Sequence, residues 1–167
     1  MREVQPKWLE DVLRPDSVRA MVSFRRDAGV PIAVSEMLVL RDRYLEVLNG
    51  HAADYVMIDP TWVGGISESR RIAETAQLFQ VPVLMHDCTG PLTLFAGLNI
   101  AAAVPGVVWQ ETVRAHLRTL YPHMIDTDVV VEEGSIAVGE RSGLGTRWLQ
   151  ELFRPDRPGY RRTDLQP

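Results

Sequence analysis

Glu10, Glu36, Asp59, His86 and Glu111 each follow a short apolar run, at intervals of 26, 23, 27 and 25 residues. Carboxylates and an imidazole are the side chains that hold hard cations and move protons near neutral pH. If Glu10 and Glu36 sit on adjacent strands, their charges meet, which is unfavourable unless a cation or proton lies between them. For oxygen donors that cation is a hard divalent ion, Mg2+ ahead of Ca2+. Either glutamate alone reads better as a solvated loop acid; their shared register with the other strand ends favours a site. Asp59 and His86 form the sharper pair. An Asp that accepts a hydrogen bond from one imidazole nitrogen fixes the tautomer and makes the other nitrogen a general base. The plainer readings are a structural histidine and an Asp that starts a turn before Pro60. Glu111 suits a hydrogen bond to a developing oxyanion if burial keeps it protonated. Its plainer partners are Gln110 or a salt bridge to Arg114. Cys88 is set aside as a nucleophile because adjacent positions at a strand end point different ways. Gly64-Gly65 lacks the rest of a phosphate-binding fingerprint and reads as a turn.

Each interval is the length of one strand, one helix and two loops. Pro6 to Asp11 predicts a strand, and Pro15-Asp16-Ser17 starts a helix carrying Val18, Met21 and Val22 that Gly29 stops. Pro31 to Val34, Tyr55 to Ile58, Val81 to Met85 and Val107 to Trp109 are further strand runs. Helical stretches lie between them: 42–48, a stripe of Ile72, Ala76 and Phe79, and Pro91 to Ala103 with Pro in its first turn. Near-continuous apolar runs suit a parallel sheet covered on both faces. In a parallel (β/α) barrel the strand C-termini converge on one face, which would gather the five ionisable residues around one pocket. The expected fold is α/β, a partial TIM-type barrel of about five βα units. After a helix over 112–120, Val129–Val131 and Ile136–Val138 flank Glu132-Glu133-Gly134-Ser135 as a terminal β-hairpin. Residues 1–153 then form the barrel portion, and Arg154 to Pro167 a flexible tail.

A chain of 167 residues is too short for the roughly 250 of a full eight-stranded barrel. With 18 basic against 22 acidic residues, net charge −4, it offers no electrostatic case for nucleic acid. No apolar stretch reaches the roughly 18 residues of a membrane span, and no secretory leader is evident. One cysteine cannot form an internal disulfide or a multi-Cys zinc site. The expectation is a cytoplasmic protein.

The segments WLEDVLRPD, PIAVSE, MIDPTWVGG, VLMHDCTGP and VVWQE resemble, in order and spacing, the C-terminal barrel of the enolase superfamily. The likeness is to the mandelate racemase/muconate lactonizing group that includes acid-sugar dehydratases. It runs from about Pro6 to Trp148 and includes a closing GERSGLGTRW. Each motif is weak and the ordered set is strong. The resemblance implies that Glu10 and Glu36 are the second and third carboxylate ligands of Mg2+. It further implies that His86 is the general base or acid, Asp59 its orienting partner, and Glu111 the hydrogen-bonding group at the substrate carboxylate. The implied chemistry removes the proton α to a carboxylate, giving an enediolate stabilised by the metal; a dehydratase then expels the β-hydroxyl, whereas a racemase returns the proton on the other face. The implied substrate is an acid sugar or a 2-hydroxy acid.

The family places a first Asp ligand and a lysine motif on strands before Glu10, and a capping domain before those. The sequence shows none of them, and Lys7, its one lysine, precedes the catalytic end of its strand. The expectation is therefore a C-terminal portion of such an enzyme, with a homo-oligomer or a missing N-terminal half as its protein partner. The rival is a non-catalytic half-barrel. Two unpaired sheet edges and an uncovered inner face favour association or a partly molten state. Little or no turnover is expected from the isolated chain; acid-sugar dehydration at rates comparable to the longer enzymes would contradict this.

Overall fold

The computed structural model describes residues 4–161. Five parallel strands, β1 (Leu9–Glu10), β2 (Ile32–Val34), β3 (Tyr55–Ile58), β4 (Val83–Met85) and β5 (Val107–Gln110), lie side by side in chain order. The helices are α1 (Val18–Ala28), α2 (Arg41–Asn49), α3 (Ile66–Leu78), α4 (Pro91–Ala103) and α5 (Arg114–Thr119). Each of the first four connects consecutive strands, which is the βα repeat that the spacing predicts. A two-stranded antiparallel pair, β6 (Val131–Glu132) and β7 (Ser135–Ile136), follows. No helix among the described residues is long and apolar enough to cross a membrane.

Local chemistry sets the boundaries. Ser17 caps α1 by accepting the Ala20 N–H, and Gly29 ends it. Pro91 opens α4, where its missing N–H leaves no bond unmade. The expected strand from Pro6 to Asp11 shrinks to Leu9–Glu10: Asp11 has φ of +53°, outside the extended region, and β1 has a partner on one side only. The hairpin is also tighter than expected. Glu133 and Gly134 both have positive φ, so the turn has two residues and pairing is confined to Val131–Ile136 and Glu132–Ser135. Residues 154–161 of the expected tail form turns, with Arg154 paired to Asp156; 162–167 lie outside the described residues.

The sheet separates two apolar regions. Val34, Val56, Ile58, Val83 and Met85 face the helices and pack with Tyr44, Val47, Ile72 and Ala76. Ala33, Met57 and Leu84 face the other way, with Trp8 and Tyr55 against them. Burial on both faces explains why β2 to β4 read as continuous apolar runs. A second core lies beyond α4, where Leu94, Phe95 and Leu98 meet Tyr121 and Ile125 of the C-terminal segment. Covered by sheet on one side and this segment on the other, α4 is apolar nearly all round.

Register decides which side chains reach the inner face. Glu10 is level with Ala33, and Met57 with Leu84, so Glu10, Asp59 and His86 continue the inward series. β5 needs a correction to join them. Val83 pairs with Val107 but Leu84 with Trp109, so Val108 is an extra, bulged residue. The slip turns Trp109 inward, edge-on to Trp8 with ring centroids 5.7 Å apart, and brings Glu111 beside His86. Without it Val108 and Gln110 would face the site.

Tyr44 ties the layers together: its ring is buried in the helix-side core, and its hydroxyl donates to the Met57 carbonyl at 2.7 Å. Tyr44→Phe is expected to lower unfolding free energy by about 1–2 kcal/mol in urea titration, because a buried strand carbonyl loses a donor. An unchanged midpoint would show that the bond adds nothing.

Candidate active site

Asp59 is fully buried, at the C-terminal tip of β3, and its two oxygens are surrounded by donors. Oδ1 accepts the Thr61 N–H (2.7 Å) and the Thr61 hydroxyl (2.6 Å). Oδ2 accepts the Thr89 hydroxyl (2.7 Å) and faces His86 Nδ1 at 2.8 Å. Burial alone would raise this carboxyl; the bonds from His86, Thr61 and Thr89 outweigh it and set it at about 2. Asp59 is therefore anionic, and the His86 Nδ1 proton is directed at it. The Pro60-Thr61 turn does occur, but as support for the pair: Gly64 and Gly65, both at positive φ, let the chain fold back so that Gly65 N–H reaches the Pro60 carbonyl.

His86 is 5% exposed at the tip of β4. Burial disfavours its charged form, yet the Asp59 bond and the charges of Glu111 and Glu36 prevail, so its pKa is raised. Nε2 points into the site, 3.7 Å from Glu111 Oε2 and 3.9 Å from Glu36 Oε2. An imidazole with one nitrogen fixed by a carboxylate and the other directed between two acids can take and return a proton.

Glu36 arrives differently from the rest. Ser35 occupies the inward position after β2 and is fully buried, while Glu36 projects from the turn that follows. Glu10 is pushed above its ordinary value by partial burial and by the charges of Glu111, Asp11 and Glu36; the Trp8 indole N–H, 3.3 Å away, opposes that. Mutually repelling carboxylates are hard donors of the kind that Mg2+ takes. Their number is short: no group of three or more His, Cys, Asp or Glu residues gathers as a metal cage among the described residues.

Three expectations change. The Glu111 side chain is 39% exposed rather than buried, and it accepts the Asp87 N–H at 3.3 Å. Gln110 instead donates to the Glu111 backbone carbonyl (2.7 Å). Cys88 does not point away. Residues 87–90 have left the strand, so strand alternation no longer governs them, and Sγ is 3.4 Å from His86 Nε2. Burial and the surrounding acids push the thiol up, which keeps it protonated and a poor nucleophile. Lys7 lies below the site, its ammonium 4.2 Å from the centre of the Trp109 ring.

Sequence reasoning missed Thr61, Thr89, Asp87 and Tyr121. The Asp-Pro-Thr turn signal points to Thr61. Nothing local marks Tyr121, 34 residues from the Asp87 it bonds.

A run of parallel βα units with an Asp-His pair, an inward acid on β1 and further acids just after the strand tips is the arrangement of a portion of a parallel (β/α) barrel. Residues 1–152 match the Enolase C-terminal domain-like family, and the chain belongs to it. It is 30% identical over 159 residues to a D-mannonate dehydratase of Novosphingobium aromaticivorans, covering 92% of this chain and 39% of that one. A D-xylonate dehydratase of Haloferax volcanii is 28% identical over 138 residues, covering 83% and 33%. Among solved structures, an enolase protein from Sargasso Sea environmental sequencing superimposes with TM-score 0.83 at 36% identity, over 90% of this chain and 40% of that one. An enolase of the mandelate racemase subgroup from Agrobacterium tumefaciens gives 0.82 at 33%, over 90% and 40%. The chain thus spans a third to two fifths of the length of these relatives.

The shifted groups fix a pH profile. Asp59, lowered from 3.8 to about 2, stabilises the fold above its unfolded value, and that contribution is lost as pH falls through about 2. His86, raised above 6.5, and Asp87, raised by burial to about 6, have the opposite sign: their stabilisation is present at low pH and lost as pH rises through the folded values. Melting followed by circular dichroism should give a higher midpoint near pH 5 than near pH 8, and a falling one below about pH 4. A midpoint that climbs from pH 5 to 8 would contradict the assignment.

Proposed function

We propose that this chain carries the His-Asp half of an acid-sugar dehydratase site. The observation that carries the reading is the buried Asp59–His86 pair with Nε2 facing Glu36 and Glu111. The dehydratase relatives among the similar proteins support it. Neutral His86 takes the proton α to the substrate carboxylate on Nε2, and the imidazolium is held by Asp59. The same proton returns to the β-hydroxyl as the carbon–oxygen bond breaks, water leaves, and the enol product becomes a 2-keto-3-deoxy acid. Glu111, held by the Asp87 N–H, acts as an acceptor for a hydroxyl or protonated oxygen of the substrate. Glu10 and Glu36 would supply two oxygens to Mg2+, which when bound would polarise the substrate carboxylate and lower the barrier to α-proton loss.

Dehydration ranks above racemisation because the base machinery in this chain is the His86–Asp59 pair and the similar proteins named above are sugar-acid dehydratases.

Calorimetry with Mg2+ should show binding that Glu36→Gln weakens at least about tenfold, as expected for loss of one of few charged oxygens. A panel of sugar acids with Mg2+ should give any keto-deoxy acid only above the His86→Gln background. An epimerised acid without keto product would replace dehydratase by racemase. Neither metal binding nor product, in a folded sample, would remove the proposal.

A further inference from the structure

The loop between β4 and α4 holds three residues that touch the catalytic pair or its neighbours. Thr89 donates to the same Asp59 oxygen that faces His86 Nδ1, Cys88 lies against Nε2, and the Asp87 N–H holds the Glu111 carboxylate. What fixes this loop is Asp87. Its side chain is fully buried, pointing away from the substrate side into the second core. Both carboxylate oxygens accept from the Tyr121 hydroxyl, at 2.9 and 3.0 Å, and the Gly90 N–H also serves it. Tyr121 is 1% exposed and packed among Leu94, Phe95, Leu98 and Ile125.

A buried carboxylate relieved by hydroxyl and amide donors, with the neighbouring imidazole as the basic group acting on it, is a poor device for stability. Packing alone would be served better by an apolar residue. The directional bonds do something packing cannot, because they set the loop at one height relative to β3 and β5. We propose that Asp87 and Tyr121 are a positioning pair that locks the β4–α4 loop, so that Thr89 completes the Asp59–His86 bond and the Asp87 N–H orients Glu111. The C-terminal segment thereby becomes part of the site's support without touching substrate. This rests on His86 as the acid-base group of the proposed function.

The test uses the full chain without substrate or Mg2+, so its result is independent of turnover. In a sample labelled with 15N-histidine, the His86 Nδ1–H gives a slowly exchanging downfield proton signal, assigned by its loss in His86→Gln. Cys88 is the sole cysteine, and its alkylation rate by iodoacetamide reports the loop independently. Tyr121→Phe keeps the buried ring and removes only the hydroxyl. At a temperature where circular dichroism shows it folded, it should broaden or lose the Nδ1–H signal and raise the alkylation rate several-fold. Ile72→Val, a destabilising change in α3 remote from the loop, should do neither. A wild-type signal and rate in Tyr121→Phe would overturn the proposal. If Tyr121→Phe does not fold, Asp87→Asn takes its place, since its amide nitrogen cannot accept the Gly90 N–H, and the same two outcomes decide. A folded chain that neither binds Mg2+ nor yields a keto-deoxy acid, with the coupling intact, would defeat the dehydratase reading and leave the positioning pair standing.

Discussion

A carboxylate removed from water must be surrounded by donors or lose its charge, and Asp59 is surrounded. Thr61 from its own turn and Thr89 and His86 from the next unit all converge on it. Those bonds fix the tautomer of His86, and they also hold the β3 and β4 loops at a common height above the sheet. The aliphatic strands below can be short because the ends of two of them are tied by charge-assisted bonds.

The rest of the mouth is deliberately unbalanced. Glu36 and Glu111 face one imidazole, and Glu10 feels the charges of Glu111, Asp11 and Glu36. Arginines sit elsewhere: Arg25 pairs with Asp54, Arg41 with Glu68 and Arg141 with Asp126. Surface cations neutralise surface acids while the strand tips keep unspent negative charge, the condition under which oxygen ligands take a divalent ion.

Much of this is written locally. The 23- to 27-residue spacing, the apolar runs and the terminal acids marked β2 to β5 and the inward Asp59 and His86, because parallel strands buried on both faces leave a continuous apolar signature. β1 was overestimated because edge pairing depends on a neighbour that sequence periodicity cannot report. Glu111 comes within 3.7 Å of His86 only through the Val108 bulge, a slip of hydrogen bonding with no mark in residue type. Its exposure and the inward turn of Cys88 depend on loop geometry, where the two-residue alternation of a strand no longer applies. Asp87 and Tyr121 were invisible because a bond across 34 residues is settled by how α4 and the C-terminal segment pack together.

The strand order has a consequence for how the chain reaches this structure. Every strand pairs with its immediate successor, so the sheet can grow one unit at a time, each addition closing a loop of about 25 residues. Such local closure favours quick assembly and suits a chain emerging gradually from the ribosome. The contact of Trp8 with Trp109 is different, since it joins the first strand to the last across a hundred residues of intervening chain. Those two indoles can meet only once all five strands of the sheet are paired, so this contact closes after the stepwise pairing of neighbouring strands rather than within any one step.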